Sequence, residues 1–288
     1  MKIVFFENGQ RFLDADESVM LENEAVFQLI LANAMANREA PLSAGCYFGH
    51  VEEDGKPVLL FGKVGAFPLT LHQSGGNMEE AVSLLVFALD ERGWIPDGYN
   101  AGTPVCDLFY DELKKRHPEL TRTLHLAMDI MQMDEANDVP VTAGTARLAR
   151  EEDIPLVQQW SEEFATFVEQ DPSFRLSDEQ KEKYAGRVRS GVVWLFETPD
   201  GKIVSMASVT RQLNTGCCVS GVYTPPHERG KGYAAANMLA LSKAMLEKGN
   251  RFVTLYVDKT NPISNHVYKK IGYRILCDAW HYSLKKGE

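Results

Sequence analysis

The segment Val222-Tyr223-Thr224-Pro225-Pro226-His227-Glu228-Arg229-Gly230-Lys231-Gly232-Tyr233-Ala234 decides how this chain is read. It joins a stretch rich in β-branched and small residues, 217–224, to a long helical pattern over 232–248. Gly230 and Gly232 remove side chains, so backbone N–H groups can come close to a ligand. The helix that begins there adds unpaired N–H groups and the positive end of its dipole. Arg229 and Lys231 add full charges. The segment reads as a cradle for an anion such as a pyrophosphate; taken alone, it reads equally as a glycine-rich turn with surface charges. Two nucleotide patterns fail on it. A Walker loop needs Ser or Thr after the lysine, and Lys231 is followed by Gly232. The dinucleotide fingerprint needs a third glycine where Ala235 stands, inside a parallel βαβ unit that the surrounding pattern lacks.

Outward from the cradle, the second half of the chain gives clear local signals. A short strand is expected over 145–150, then a helix over 151–169 with Ile154, Val157, Trp160, Phe164 and Phe167 at helical spacing. A second helix is expected over 177–190, with Ser177 or Asp178 as its cap. Strands follow at 192–197 and 203–209, joined by the hairpin signal Asp200-Gly201, and at 217–224. The helix over 232–248 ends at Gly249, and a strand over 252–257 comes next. Asn261 and Pro262 open a helix to Ile271, with Gly272 beyond its end, and 274–283 is a last strand. In that last helix Ile263, Val267 and Ile271 form an apolar stripe expected to be buried, while Ser264 and Tyr268 share a face at i, i+4.

The two segments together resemble the GNAT superfamily of acetyl-CoA-dependent N-acetyltransferases. Arg229 to Ala234 matches its Arg/Gln-x-x-Gly-x-Gly/Ala pattern. Asn261 to Tyr273 matches its Asn-led helix with a Tyr followed by Lys-x-Gly-Tyr/Phe. The resemblance implies an α+β, three-layer fold: a mixed, mostly antiparallel sheet flanked by helices. It implies acetyl-CoA as co-substrate, with Arg229, Gly230, Lys231, Gly232, Tyr233 and Ala234 around its pyrophosphate. It further implies that the backbone of Val222, Tyr223 and Thr224 pairs with the pantetheine arm, that Asn261 and Ser264 lie along that arm, and that Tyr268 protonates the departing CoA thiolate. The implied chemistry is direct attack of a neutral amine on the thioester. Relatives often carry a Glu on the fourth strand as base; here that strand reads Cys217-Cys218-Val219-Ser220-Gly221, with no carboxylate. Glu197, Asp258 and His281 are the alternatives at strand ends. Cys217 or Cys218 as acyl acceptor has no His adjacent to activate it.

The first half has a related order. Helix is expected over 19–35, strands at 46–52 and 58–64, helix at 78–89, a helix opened by Thr103-Pro104 to about Lys115, and a strand at 124–131. Asp54-Gly55-Lys56 recurs as Asp200-Gly201-Lys202 at an offset of 146, and Thr103-Pro104 with Tyr110 as Asn261-Pro262 with Tyr268 at an offset of 158. The twelve-residue difference falls in the interval that contains the cradle. The chain is therefore read as two tandem copies: 1–135 a degenerate copy without a CoA motif, 136–142 a linker ending the polar run before it, and 143–288 the catalytic copy.

Charge divides along the same line. Residues 1–140 carry 10 basic and 23 acidic groups, net −13; the remainder carries 20 and 17, net +3. The acidic half argues against nucleic acid as main partner and favours a small cationic amine as acceptor. The 288 residues, with 44% hydrophobic and 24% charged, exclude a disordered, collagenous or disulfide-built chain. The five cysteines are scattered and no histidine cluster has zinc spacing, so no metal is expected. The longest apolar run, Ala81 to Leu89, is about half of a membrane span. A cytoplasmic protein without membrane contact is expected. A non-catalytic CoA-binding sensor and a protein lysine acetyltransferase are the competing functions.

Overall fold

The computed structural model describes all residues except 40, 41, 44, 170 and 288, and the side chains of 167 and 169 lie outside the described set; Phe167 is one of these. Contacts divide the chain into two compact units. Unit 1 comprises Met1–Ile130, Val257–Asn261 and Ile275–Glu288; unit 2 comprises Met131–Tyr256 and Pro262–Arg274.

Unit 1 begins with strand β1 (Lys2–Phe6), then helices α1 (Gly9–Glu22) and α2 (Glu24–Ala36). The single helix expected over 19–35 is in fact two. Asn23 leaves helical geometry at φ −142°, in the middle of the polar run Glu22-Asn23-Glu24. Strands β2 (Tyr47–Glu53) and β3 (Lys56–Lys63) form the expected hairpin, with Asp54 and Gly55 at φ 51° and 77° as a primed turn requires. Next come β4 (Leu69–Gln73), α3 (Met78–Asp90), β5 (Gly98–Ala101), α4 (Val105–Arg116) and β6 (Leu120–Met133). β1, β4 and β5 are additions to the sequence reading. Leu69, Leu71, Tyr99 and Ala101 point into a core that α3 and α4 cover with Val82, Leu85, Leu89, Phe109 and Leu113. Helices α1 and α2 cover a second core with Phe12, Phe27, Ile30 and Leu31 over Phe48 and Leu60.

Unit 2 repeats this order: β7 (Thr145–Leu148), α5 (Ile154–Glu169), α6 (Asp178–Arg189), β8 (Val193–Glu197), β9 (Ile203–Gln212), β10 (Gly216–Tyr223), α7 (Tyr233–Glu247), β11 (Phe252–Asp258) and α8 (Pro262–Ile271). Ser177 caps α6 and forms a capping box with Gln180. Trp160, Val188, Leu195, Met206 and Tyr223 form one core, and Phe196, Val204 and Ala236 another on the α7 side. The pairing also repeats. β1·β2, β2·β3 and β3·β4 are antiparallel and β4·β5 parallel; β7·β8, β8·β9 and β9·β10 are antiparallel and β10·β11 parallel. Each unit is thus a mixed, mostly antiparallel sheet flanked by helices.

The units depart from the expected 1–135 and 143–288 blocks: residues 131–135 fall in unit 2, 257–261 fall in unit 1, and the last strand changes unit. The last strand, β12 (Arg274–Lys286), lies in unit 1 between β5 and β6. It pairs with β5 from Trp280 opposite Ala101 to Ser283 opposite Gly98. Asp278 fastens it further, accepting from the Thr103 N–H at 2.9 Å and the Thr103 hydroxyl at 2.7 Å. Linker residues 136–142 fall in unit 2.

Candidate active site

The parallel register of β10 with β11 covers Gly216, Cys217 and Cys218 against Phe252, Val253 and Thr254, and β10 then continues to Tyr223. On its other side the register with β9 shifts between Ser220 and Tyr223, where Gly221 takes φ 63°. A bulge here bends the strand and turns its last residues. The main-chain carbonyls of Tyr223 and Thr224 each have a partner: the Ser205 hydroxyl donates to Tyr223 O at 3.2 Å, and Arg229 Nε donates to Thr224 O at 3.0 Å.

After β10 a 3₁₀ turn over Pro226–Glu228 leads into the cradle. Gly230 and Gly232 sit at φ 79° and 83°, left-handed conformations that only glycine adopts cheaply. Gly232 is the N-cap of α7, with no side-chain cap and no acidic residue in the first turn. The first N–H groups of such a helix lack intrahelical partners and face outward. Space differs between the two glycines. Nothing lies within 4 Å of a Cβ built on Gly230, but one on Gly232 would meet Thr142 Oγ1 at 2.6 Å. The sequence reading expected both bare positions to face ligand; at Gly232 the linker fills that side.

Charge at the cradle is organised by Glu228. Its carboxylate, 6% exposed, accepts from Lys202 and from Lys231 at 2.8 Å. These two bonds push its pKa down to about 2 and push the Lys231 ammonium up, so both stay charged at neutral pH. The pyrophosphate fits this donor set: free helix N–H groups, a glycine with open space at Gly230, and the cations Arg229 and Lys231.

Tyr268 lies on α8, which packs against α7. It is 7% exposed, with its ring edge-on to Tyr273 at 5.7 Å. Burial raises its pKa, so the phenol keeps its proton at neutral pH. Tyr273 and Ser242 share a hydrogen bond of 2.9 Å behind it. The expected buried stripe of α8 is corrected at its start: Ile263 is 74% exposed, and burial falls on Tyr268 and Ile271. Val222 to Thr224, Arg229 to Ala234, Ser264 and Tyr268 all lie in unit 2, whereas Asn261 lies in unit 1, where its N–H donates to Asp258 O at 3.1 Å.

The expected base candidates have other employment. Glu197 accepts from Arg147 Nε at 2.9 Å. Asp258 accepts from the backbone and hydroxyl of Thr260, both at 2.7 Å, and lies in unit 1. His281, also in unit 1, has its pKa lowered to about 4 by burial and by His125. Burial beside Cys218 raises the Cys217 thiol to about 12, far from a thiolate nucleophile. The carboxylate that does reach β10 is Glu163 of α5, which accepts from the Tyr223 hydroxyl. Burial and that carboxylate raise Tyr223 to about 12. Glu163, Gln159, Trp160, Ile203 and the turn at Pro225–Glu228 line a cavity of about 230 Å³. Sequence reasoning passed over Glu163, although its position one turn after Trp160 on the buried face was a usable signal.

A glycine-rich, uncapped helix entrance thus follows the bulged fourth strand of a mixed α+β sheet. Residues 154–273 match the model of the acetyltransferase (GNAT) family. Acetyl-CoA is the acetyl donor of that family. The chain is similar over its length to solved structures: a GCN5-related N-acetyltransferase from Sphaerobacter thermophilus (15% identity, TM-score 0.59, 99% of this chain and 95% of that one) and a GNAT-family acetyltransferase from Colwellia psychrerythraea (12% identity, TM-score 0.55, 99% and 100%). At such identity the likeness concerns the fold. No curated protein matches the sequence. Among the described residues no helix is long and apolar enough to cross a membrane.

Proposed function

We propose that unit 2 transfers the acetyl group of acetyl-CoA to a primary amine of a small cationic molecule by direct attack, and that residues 1–135 are a copy that has lost CoA binding. The observation that carries this is the entrance of α7: left-handed Gly230 and Gly232, no side-chain cap, and no acid in the first turn. Arg229 to Ala234 hold the pyrophosphate, and the edge of Val222 to Thr224 lies beside the pantetheine arm. Ser264 flanks the same arm. Tyr268, kept protonated by burial, gives its proton to the leaving CoA thiolate. Glu163, hydrogen-bonded to Tyr223, supplies the carboxylate that the fourth strand lacks; it attracts the acceptor ammonium and takes the proton that the nitrogen loses to become the attacking amine.

Two measurements test this. Calorimetric titration with CoA is expected to give one site per chain; two equal sites would overturn the reading of residues 1–135. A thiol-release assay with acetyl-CoA across small amines and lysine peptides is expected to turn over with small cationic amines. Turnover with lysine peptides alone would identify a protein acetyltransferase. Tight CoA binding with no acceptor would identify a CoA sensor.

A further inference from the structure

We propose that Thr142, the last residue of the linker, is a positioning residue for the pyrophosphate cradle; this rests on the acetyl-CoA reading above. The stretch leading to Thr142 is strapped onto unit 2 at two points. At the first, Asp134 accepts from Arg274 at 2.7 Å, and Asn137 donates from its N–H to Ile271 O and from Nδ2 to Lys270 O, both at 3.0 Å. The strap comes so close that a Cβ on Gly272 would meet Glu135 O at 2.7 Å.

The second point is the cradle itself. The Thr142 hydroxyl donates to Lys231 O at 2.6 Å, and the same oxygen fills the space beside Gly232. Lys231 C=O and Gly232 N–H belong to one planar trans peptide and therefore point in opposite directions. Holding the carbonyl on Thr142 aims the Gly232 N–H away from the linker, toward the open side of the loop. Gly232, on the C-terminal side of this peptide, has no Cβ to restrict its φ, so the peptide turns there more freely than between two ordinary residues. The hydroxyl removes that freedom before a ligand arrives, so less ordering remains to be done on binding. Thr142 touches neither the acetyl group nor the acceptor; it acts through the peptide.

The test compares donors with and without pyrophosphate. Thr142→Val removes the hydroxyl at nearly constant shape, and Thr142→Ser keeps it. Thr142→Val is expected to weaken CoA binding and raise KM for acetyl-CoA by roughly three- to tenfold, with kcat unchanged. Acetyl-pantetheine, which lacks the pyrophosphate, should be used equally well by wild type and Val variant, and Thr142→Ser should restore acetyl-CoA. Unchanged CoA affinity in Thr142→Val, or an equal loss with acetyl-pantetheine, would overturn the proposal. Should the Val variant not fold, Thr142→Ala gives the same comparison. Absence of CoA binding by the wild-type protein would instead overturn the acetyl-CoA reading itself, so the two failures are separable.

Discussion

Helices α3 and α7 follow the fourth strand of their respective units, yet their entrances are chemically opposite. At α3 the Asn77 side chain accepts from the Glu80 N–H at 3.4 Å, Glu79 and Glu80 fill the first turn, and the N-terminal ammonium lies 3.6 Å from Glu80. Its positive end is already neutralised by its own side chains. At α7 no side chain caps the helix, no acid stands in the first turn, and Arg229 and Lys231 precede it. Both loops contain two glycines with positive φ: Gly75 and Gly76 in one, Gly230 and Gly232 in the other. Glycine is therefore not what separates them. The proposed difference in CoA binding between the units rests on whether the helix entrance is left open and who supplies the local charge.

The contrast can be attacked at its strongest point first. Gly232→Asp gives α7 the acidic cap type, a strained φ and a clash with Thr142; CoA affinity should fall by about a hundredfold or more, read by calorimetry. Retained affinity would mean that the entrance of α7 is not the anion site. Tyr268→Phe should lower kcat by at least about tenfold with KM for acetyl-CoA nearly unchanged, since it removes a proton donor and not a binding contact. A smaller effect is expected at Glu228, whose pKa is lowered from 4.5 to about 2. A group depressed on folding stabilises above its unfolded pKa and loses that contribution as pH falls through its folded one. The Tm difference between wild type and Glu228→Gln should thus be full at neutral pH and shrink between pH 4.5 and 2. Smallest of all, Asn77→Ala should cost about 0.5–1 kcal/mol in denaturant unfolding and leave CoA affinity untouched. A change in CoA binding there would give unit 1 a role in the site.

The second half was more legible than the first for identifiable reasons. Its caps, hairpin and breakers are strong local signals: Ser177, Asp200-Gly201, Pro262 and Gly249 all act where expected. In the first half β5 spans only Gly98–Ala101, too short for a period to show, and β4 is hardly longer. The break between α1 and α2 falls in the polar run Glu22-Asn23-Glu24, which is short enough to read as one solvent-facing turn of a single helix. In the site, the glycine loop and the Asn-led helix were readable because each is a contiguous run. Glu163 was not, because its importance comes from Tyr223, far along the chain on another element.

Local sequence alone determined the hairpins, the helix ends, the glycine-rich entrance of α7 and the likeness between the halves. Each depends on residues within a turn or two of one another, where backbone sterics and capping act. Tertiary structure decided that β12 completes the sheet of unit 1, that Glu163 reaches the fourth strand, and that Thr142 lies against Gly232. Those are pairings across dozens of residues or more. They are selected by which open strand edge, buried hydroxyl or bare glycine is available once the rest has packed, and no local propensity specifies that choice.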